Sequence, residues 1–303
     1  MNDAAGAEAP PEPRICDYEG SPYRTVFWEQ ADRGYEDAAE RLALRAMLPP
    51  TGERLVEIGA GFGRLVDAYA GYRQVILLDY AHSMLEDARA RLGDAFTYVC
   101  ADLYRLPFAT HALDTVVQVR VLHHVEDVPA AFGEVARVLR GGGVYVLEFA
   151  NKRNLKSIAR YYAGGLADSP FAREPREVVA LNWNFHPDYV ESALRDAGLA
   201  VLRRRAVSHF RVGALKRLVP AGALARVDGL IGDRLGGMAV APSQFLQVLR
   251  TTGGPRSTGL WRCPRCGAEP LAAEGDGVPC TGCGARWPIV NGIHVFRENL
   301  DLP

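Results

Sequence analysis

From residue 54 onward, short apolar runs alternate with amphipathic stretches, and no other feature narrows the fold as much. RLVEI, QVILL, FTYVC, LDTVVQV and GVYVLEF are rich in Val, Ile, Leu and aromatic residues, a composition suited to strands buried on both faces of a parallel sheet. Between them, SMLEDARARL carries Ser83 and Glu86 at capping-box spacing and Met84, Ala88 and Leu92 along one side, which predicts a helix. AAFGEVARVLR sets Phe132, Val135 and Leu139 on one face and stops at Gly141-Gly142-Gly143, an expected C-cap. Such alternation predicts a doubly wound α/β sheet. It breaks off over 150–185. It resumes with HPDYVESALRDAGL (a helix ended by Gly198), the strand AVLRRRAV, a helical segment around 213–235 and a last strand, SQFLQVLR.

The 303 residues suffice for one large domain and a small one. A formal charge of -1 provides no global basic field, so nucleic acid is not favoured as a partner. The opening MNDAAGAEAPPEPR lacks a basic segment followed by an apolar one and is not read as a signal peptide; residues 1–15 are expected to be a disordered tail. No stretch approaches the roughly 18 apolar residues of a membrane span, so a cytoplasmic location is expected.

A glycine-rich turn, VEIGAGFGR, follows the first apolar run, and two kinds of nucleotide compete for it. A dinucleotide usually asks for GxGxxG and puts a pyrophosphate on the next helix N-terminus. Here Gly59, Gly61 and Gly63 are spaced GxGxG, and Glu57 stands just ahead of them. A carboxylate there repels a pyrophosphate but attracts an ammonium group, which favours S-adenosylmethionine over NAD. Asp79 closes the second run, where a carboxylate can accept ribose hydroxyls for either cofactor. Asp102 closes the third, placed to accept from an adenine amino group or to cap the next turn, with Leu103 beside it.

Together, LVEIGAGFGRL, LLDYAHSML, ADLYRLPF and LDTVVQVRVLHHVEDVPAAFGEVARVLRGGG resemble the class I S-adenosylmethionine-dependent methyltransferases of small-molecule type. The resemblance is closest over 40–150 and looser over 185–250. It implies a Rossmann-like, mainly parallel seven-stranded sheet with an antiparallel last strand. It also implies that Glu57, Gly59, Gly61 and Gly63 hold the methionine end, Asp79 the ribose, and Asp102 with Leu103 the adenine. Arg120, ending the fourth strand, would lie beside the methyl group. Methyl transfer needs chiefly alignment, with a base where the acceptor must lose a proton. By family habit His124 packs within the fold, which leaves His123 as the candidate catalytic base; Glu148 is a further candidate, and His186 reads first as helix-start packing. Residues 150–185, with Tyr161, Tyr162, Trp183 and Phe185, are the expected substrate lid. Lys152, Arg153, Lys156 and Arg160, and separately Arg203 to Arg205, form basic stripes read first as solvated faces.

Four of the six cysteines lie in 263–283, as Cys263-x2-Cys266, thirteen residues, then Cys280-x2-Cys283. Two such pairs supply four thiolates for a tetrahedral Zn2+ with no open position, hence a structural ion. Cys16 and Cys100 read as packing or tail residues. RWPIVNGIHVF, behind the pairs, resembles the end of the small zinc-ribbon activators of tRNA, rRNA and release-factor methyltransferases. This resemblance covers 260–297 and implies that the ribbon docks within the same chain. The expected division is a tail over 1–15, a methyltransferase domain over 16–251, a linker over 252–259 and a zinc ribbon over 260–303. The expected activity is methyl transfer to a small-molecule acceptor. An RNA or translation-factor acceptor and a non-catalytic cofactor-binding scaffold are the alternatives.

Overall fold

The computed structural model describes residues 12–298 and 300. Most of the tail expected at 1–15 therefore lies outside the described residues, as do Asn299 and 301–303 of the ribbon. The domain's sheet is built from β1 (Gly52–Ile58), β2 (Tyr72–Asp79), β3 (Thr97–Cys100), β4 (Leu113–Gln118), β5 (Leu139–Ala150), β8 (Leu199–Val207) and β9 (Ser243–Arg250). Its order is β3-β2-β1-β4-β5-β9-β8. β1 to β5 pair parallel, and β9 runs antiparallel to β5 and to β8. This is the mainly parallel, Rossmann-like methyltransferase sheet that the sequence predicts.

Helices α1 (Gly34–Met47), α2 (His82–Leu92) and α7 (Ala221–Leu235) cover one face, and α3 (Val128–Val138) and α5 (Pro187–Asp196) the other. The remaining elements are α4 (Leu155–Tyr162), α6 (Gly213–Leu218) and a small hairpin of β6 (Arg176–Val179) and β7 (Asn182–Asn184). No helix among the described residues is long and apolar enough to cross a membrane.

Two local expectations are corrected. Ser83 does not cap α2. The cap comes from far away: the Glu19 carboxylate accepts from the backbone N–H of His82 (2.7 Å) and of Ser83 (2.9 Å). Nor do Gly141 to Gly143 end a helix. α3 stops at Val138 and the glycines lie inside β5, where the 252–259 segment presses against them. Gly141 N–H donates to the Gly254 carbonyl at 2.9 Å, and a Cβ on Gly141 would fall 2.6 Å from the Gly253 carbonyl. That segment is docked along its length, with Arg54 donating to the carbonyls of Ser257 and Thr258, both at 3.1 Å.

The cysteine-rich module lengthens the same sheet. β10 (Gly277–Pro279), β11 (Arg286–Val290) and β12 (Ile293–Val295) form an antiparallel ribbon, and β12 pairs parallel with the edge strand β3. Ten strands are thereby joined in the order β10-β11-β12-β3-β2-β1-β4-β5-β9-β8. Side chains follow the backbone. Trp261 stacks on Phe108 at 5.8 Å and packs on Phe296 at 5.0 Å, and Trp287 packs on Phe296 at 5.8 Å. These residues belong to one buried cluster with Val116, Phe132 and Leu147, so the ribbon and the domain share a core.

Candidate functional site

A cavity lies along the C-terminal edge of β1 to β4. Its walls include Glu57 near the end of β1, Gly59 and Gly61 after it, Asp79 at the end of β2, Asp102 and Leu103 after β3, and Arg120 after β4. In a parallel sheet these loops must emerge on one edge, which is why residues far apart in the chain converge. Gly63 is not part of the lining. Its positive φ of 72° closes the turn, and a Cβ there would meet Leu92 at 2.5 Å. Gly59 has a φ of 69°, and a Cβ would strike Val121 at 2.1 Å. Gly61, at 52°, faces open space.

The acids differ in how they are held. Glu57 is buried and its Oε2 has no partner among the described residues. Burial pushes its carboxyl up to about 8. Asp79 accepts from Gly61 N–H at 2.7 Å and Ala81 N–H at 3.0 Å; burial still raises its carboxyl above the ordinary value. Asp102 accepts from Tyr104 N–H at 2.8 Å and so caps the short turn Leu103–Arg105, and burial raises it too. Three strand-end carboxylates thus face one cavity. An orphaned carboxylate oxygen and the open space at Gly61 fit a bound cationic group.

Arg120, with a φ of 61°, turns away from β4 into a buried network. Its Nε and Nη2 lie 2.8 and 2.6 Å from Glu40 Oε1, while Arg64 Nη2 reaches Glu40 Oε2 at 2.8 Å. Burial alone would raise Glu40, but Arg120 and Arg64 outweigh it and hold the carboxyl below 4.5. Arg120 N–H also donates to Glu148 at 2.9 Å, which engages this candidate base as a structural acceptor.

The cover of the cavity is not the one expected. No residue of 150–185 lines it. Tyr161, Tyr162 and Phe171 cluster with one another at the surface, and Phe185 is buried against Tyr189. Instead residues 14–29 lie across the cavity as a strap, with Tyr18, Tyr23 and Trp28 in its wall. Arg14, assigned by sequence to the tail, is held 2.6 Å from Glu126. The π-helical turn Arg24–Glu29 buries none of its residues fully. Its aromatic rings are gripped by cations, Arg64 over Trp28 at 4.0 Å and Arg33 over Phe27 at 4.0 Å. The run YRTVFWEQ, dense in aromatics just behind a polar tail, was the available signal for this strap.

The histidines are placed the other way round from expectation. His124 lines the cavity and His123 does not. His124 Nδ1 lies 2.8 Å from the Leu181 carbonyl and must donate there, which leaves Nε2 to accept from the Tyr18 hydroxyl at 3.1 Å. Burial lowers both imidazoles, His123 well below its ordinary value, so both are neutral near pH 7. His186 caps α5, accepting from Asp188 N–H at 3.2 Å. In the second basic stripe Arg204 pairs with Glu191 and Arg205 with Asp233.

Away from the cavity, one ligand atom from each of Cys263, Cys266, Cys280 and Cys283 lies within 4.8 Å of the others. Sγ of Cys263 is 3.7 Å from that of Cys283, and Sγ of Cys266 is 3.5 Å from that of Cys280. Zn–S bonds of about 2.3 Å at tetrahedral angles separate sulfurs by nearly 4 Å, so the donor set suits zinc.

Comparison with known proteins follows the same lines. A family profile described as a methyltransferase domain matches residues 56–147. The 27-O-demethylrifamycin SV methyltransferase of Amycolatopsis mediterranei is 30% identical over 196 residues, 61% of this chain and 68% of that one. A biotin biosynthesis bifunctional protein, BioHC of Saccharophagus degradans, is 29% identical over 51% of this chain, which spans only 28% of its length. An S-adenosylmethionine-dependent methyltransferase structure from Mesorhizobium loti superposes with a TM-score of 0.52 at 25% identity, covering 71% of this chain and all of that one. The chain belongs to the S-adenosylmethionine-dependent methyltransferase family.

Proposed function

We propose that the protein transfers a methyl group from S-adenosylmethionine to a small-molecule acceptor, and that its ribbon holds a structural Zn2+. The observation that carries the cofactor reading is the convergence of Glu57, Asp79 and Asp102 on one cavity, with Glu57 Oε2 unpartnered. S-adenosylmethionine supplies an electrophilic sulfonium methyl when bound. Glu57 would receive its ammonium group, Asp79 the ribose hydroxyls, and Asp102 with Leu103 the adenine. The strap's aromatics exclude water from the line of transfer. A small acceptor suits a cavity closed by its own chain, and the rifamycin and biotin relatives act in small-molecule chemistry by their names.

Asp79→Ala is expected to weaken S-adenosylhomocysteine binding beyond detection in calorimetry while leaving zinc at one per chain. Saturation by NADH instead of S-adenosylhomocysteine would overturn the cofactor assignment. A second measurement addresses Glu57. Its raised carboxyl is protonated at pH 7 in the free protein, and an ammonium partner demands the carboxylate. Binding at pH 7 should therefore release most of a proton, seen as buffer-dependent heats, and Glu57→Gln should release clearly less. Equal proton release by wild type and Glu57→Gln would remove Glu57 from the site. For the acceptor, methyl-labelled cofactor is incubated with host extract split into small-molecule, RNA and protein fractions. Label confined to RNA or protein would replace the small-molecule reading.

A further inference from the structure

We infer that Arg297, carried by the ribbon, is a positioning residue for the cofactor cavity, latching the 14–29 strap and the Tyr80 turn together over it. The inference rests on the proposal that this cavity takes S-adenosylmethionine. β12 delivers the chain to the correct edge. After Val295 the backbone follows β3 to its end, Phe296 N–H donating to the Cys100 carbonyl at 2.8 Å, and so arrives where the ligand-binding loops emerge.

There Arg297 joins three parts of the molecule. Its Nη2 lies 2.7 Å from Asp17 Oδ2, and Nη1 lies 3.7 Å from Glu19 Oε2. Nη1 also donates to the Tyr80 carbonyl at 3.0 Å, and the guanidinium sits 3.9 Å over the Tyr80 ring. The Arg297 side chain is only 13% exposed, while Asp17 and Glu19 are about a third exposed, so solvent screens these contacts in part. Each partner leads to the cavity. Tyr80 follows Asp79, whose carboxylate holds Gly61; Cys16 and Tyr18 flank Asp17 and line the wall; Glu19 caps α2.

The strap depends on such ties. Its π-helical turn has no fully buried residue, and its half-buried aromatics leave part of the work of holding it shut to polar ties. Asp17 also brings a negative charge toward Asp79, with Glu19 beside it in the strap. Without Arg297 those carboxylates repel one another across the cavity mouth, and the strap opens. The ribbon thereby sets how long a cofactor stays.

The experiment uses zinc-loaded full-length protein and S-adenosylhomocysteine. Arg297→Ala should bind it about tenfold more weakly, the size of one lost charge-assisted contact, chiefly through faster dissociation. In ligand-free protein, amide hydrogen exchange over 14–29 should rise, with zinc still at one per chain. Asp17→Asn changes the strap and not the ribbon; it should act in the same direction. The double variant should be no weaker than Arg297→Ala alone, because both remove one interaction. Exchange over 14–29 unchanged in Arg297→Ala and Asp17→Asn overturns the latch, as do wild-type affinity in both or additive losses in the double variant. Should Arg297→Ala lose zinc or unfold, Asp17→Asn decides alone. Wild-type protein that binds no S-adenosylhomocysteine overturns the cofactor reading instead, and the exchange measurement still judges the latch.

Discussion

Cys280→Ser, or stripping of zinc by a chelator, is expected to unfold residues 260–298 and to lower the thermal midpoint of the whole chain by roughly 10 °C or more. Four thiolates around a zinc ion would hold the two turns of the module, and its apolar residues alone are too few to fold a unit of this size. The loss does not stay local, because Trp261, Trp287 and Phe296 lie in the same buried cluster as Phe132 and Leu147 of the domain. Without β12, β3 becomes an open sheet edge at Tyr98, Val99 and Cys100, a template for pairing with another chain. The variant should therefore also associate in solution. Scanning calorimetry, light scattering and metal analysis check this, and an unchanged midpoint in metal-free protein would show the ribbon to be independent of the fold.

Glu40→Gln should destabilise the protein by about 3–5 kcal/mol at pH 7. Glu40 is 1% exposed and is the shared partner of Arg120 and Arg64, so its neutralisation leaves two guanidiniums facing one another in a buried place. Its folded carboxyl is held below 4.5, and an acid depressed in this way stabilises fully above its unfolded value. As the pH falls below 4.5 the unfolded chain takes up the proton first and the contribution is lost. The gap between wild type and Glu40→Gln should accordingly be widest near neutrality and narrow in acid. A gap that is constant or grows toward pH 3 in denaturant titrations would contradict the assignment. Arg64 stacks on Trp28, so emission from the strap should shift in the same variant.

Glu40 illustrates what sequence reading misses. It sits on an amphipathic helix with nothing to separate it from a solvated acid, and its partners lie 24 and 80 positions away. Glu19 is similar: Ser83 and Glu86 satisfied a local rule for starting α2, yet a carboxylate 63 positions upstream took the role. His123 and His124 are neighbours in sequence, and only the paths of the strap and of Leu181 distinguish them.

What the sequence determined by itself was local or periodic. The strand–helix order follows from apolar spacing, the turn after β1 from glycines that must take positive φ, and the cysteine centre from two pairs each closed within four residues. The three acids were legible because each ends an apolar run, and a parallel sheet sends every such end to one edge. Tertiary structure alone decided what covers that edge, where β12 docks, and that a ribbon arginine meets a strap aspartate 280 positions away. Such contacts depend on shape and charge brought together by the whole fold, and beyond the aromatic run that hinted at the strap no short stretch of chain specifies them.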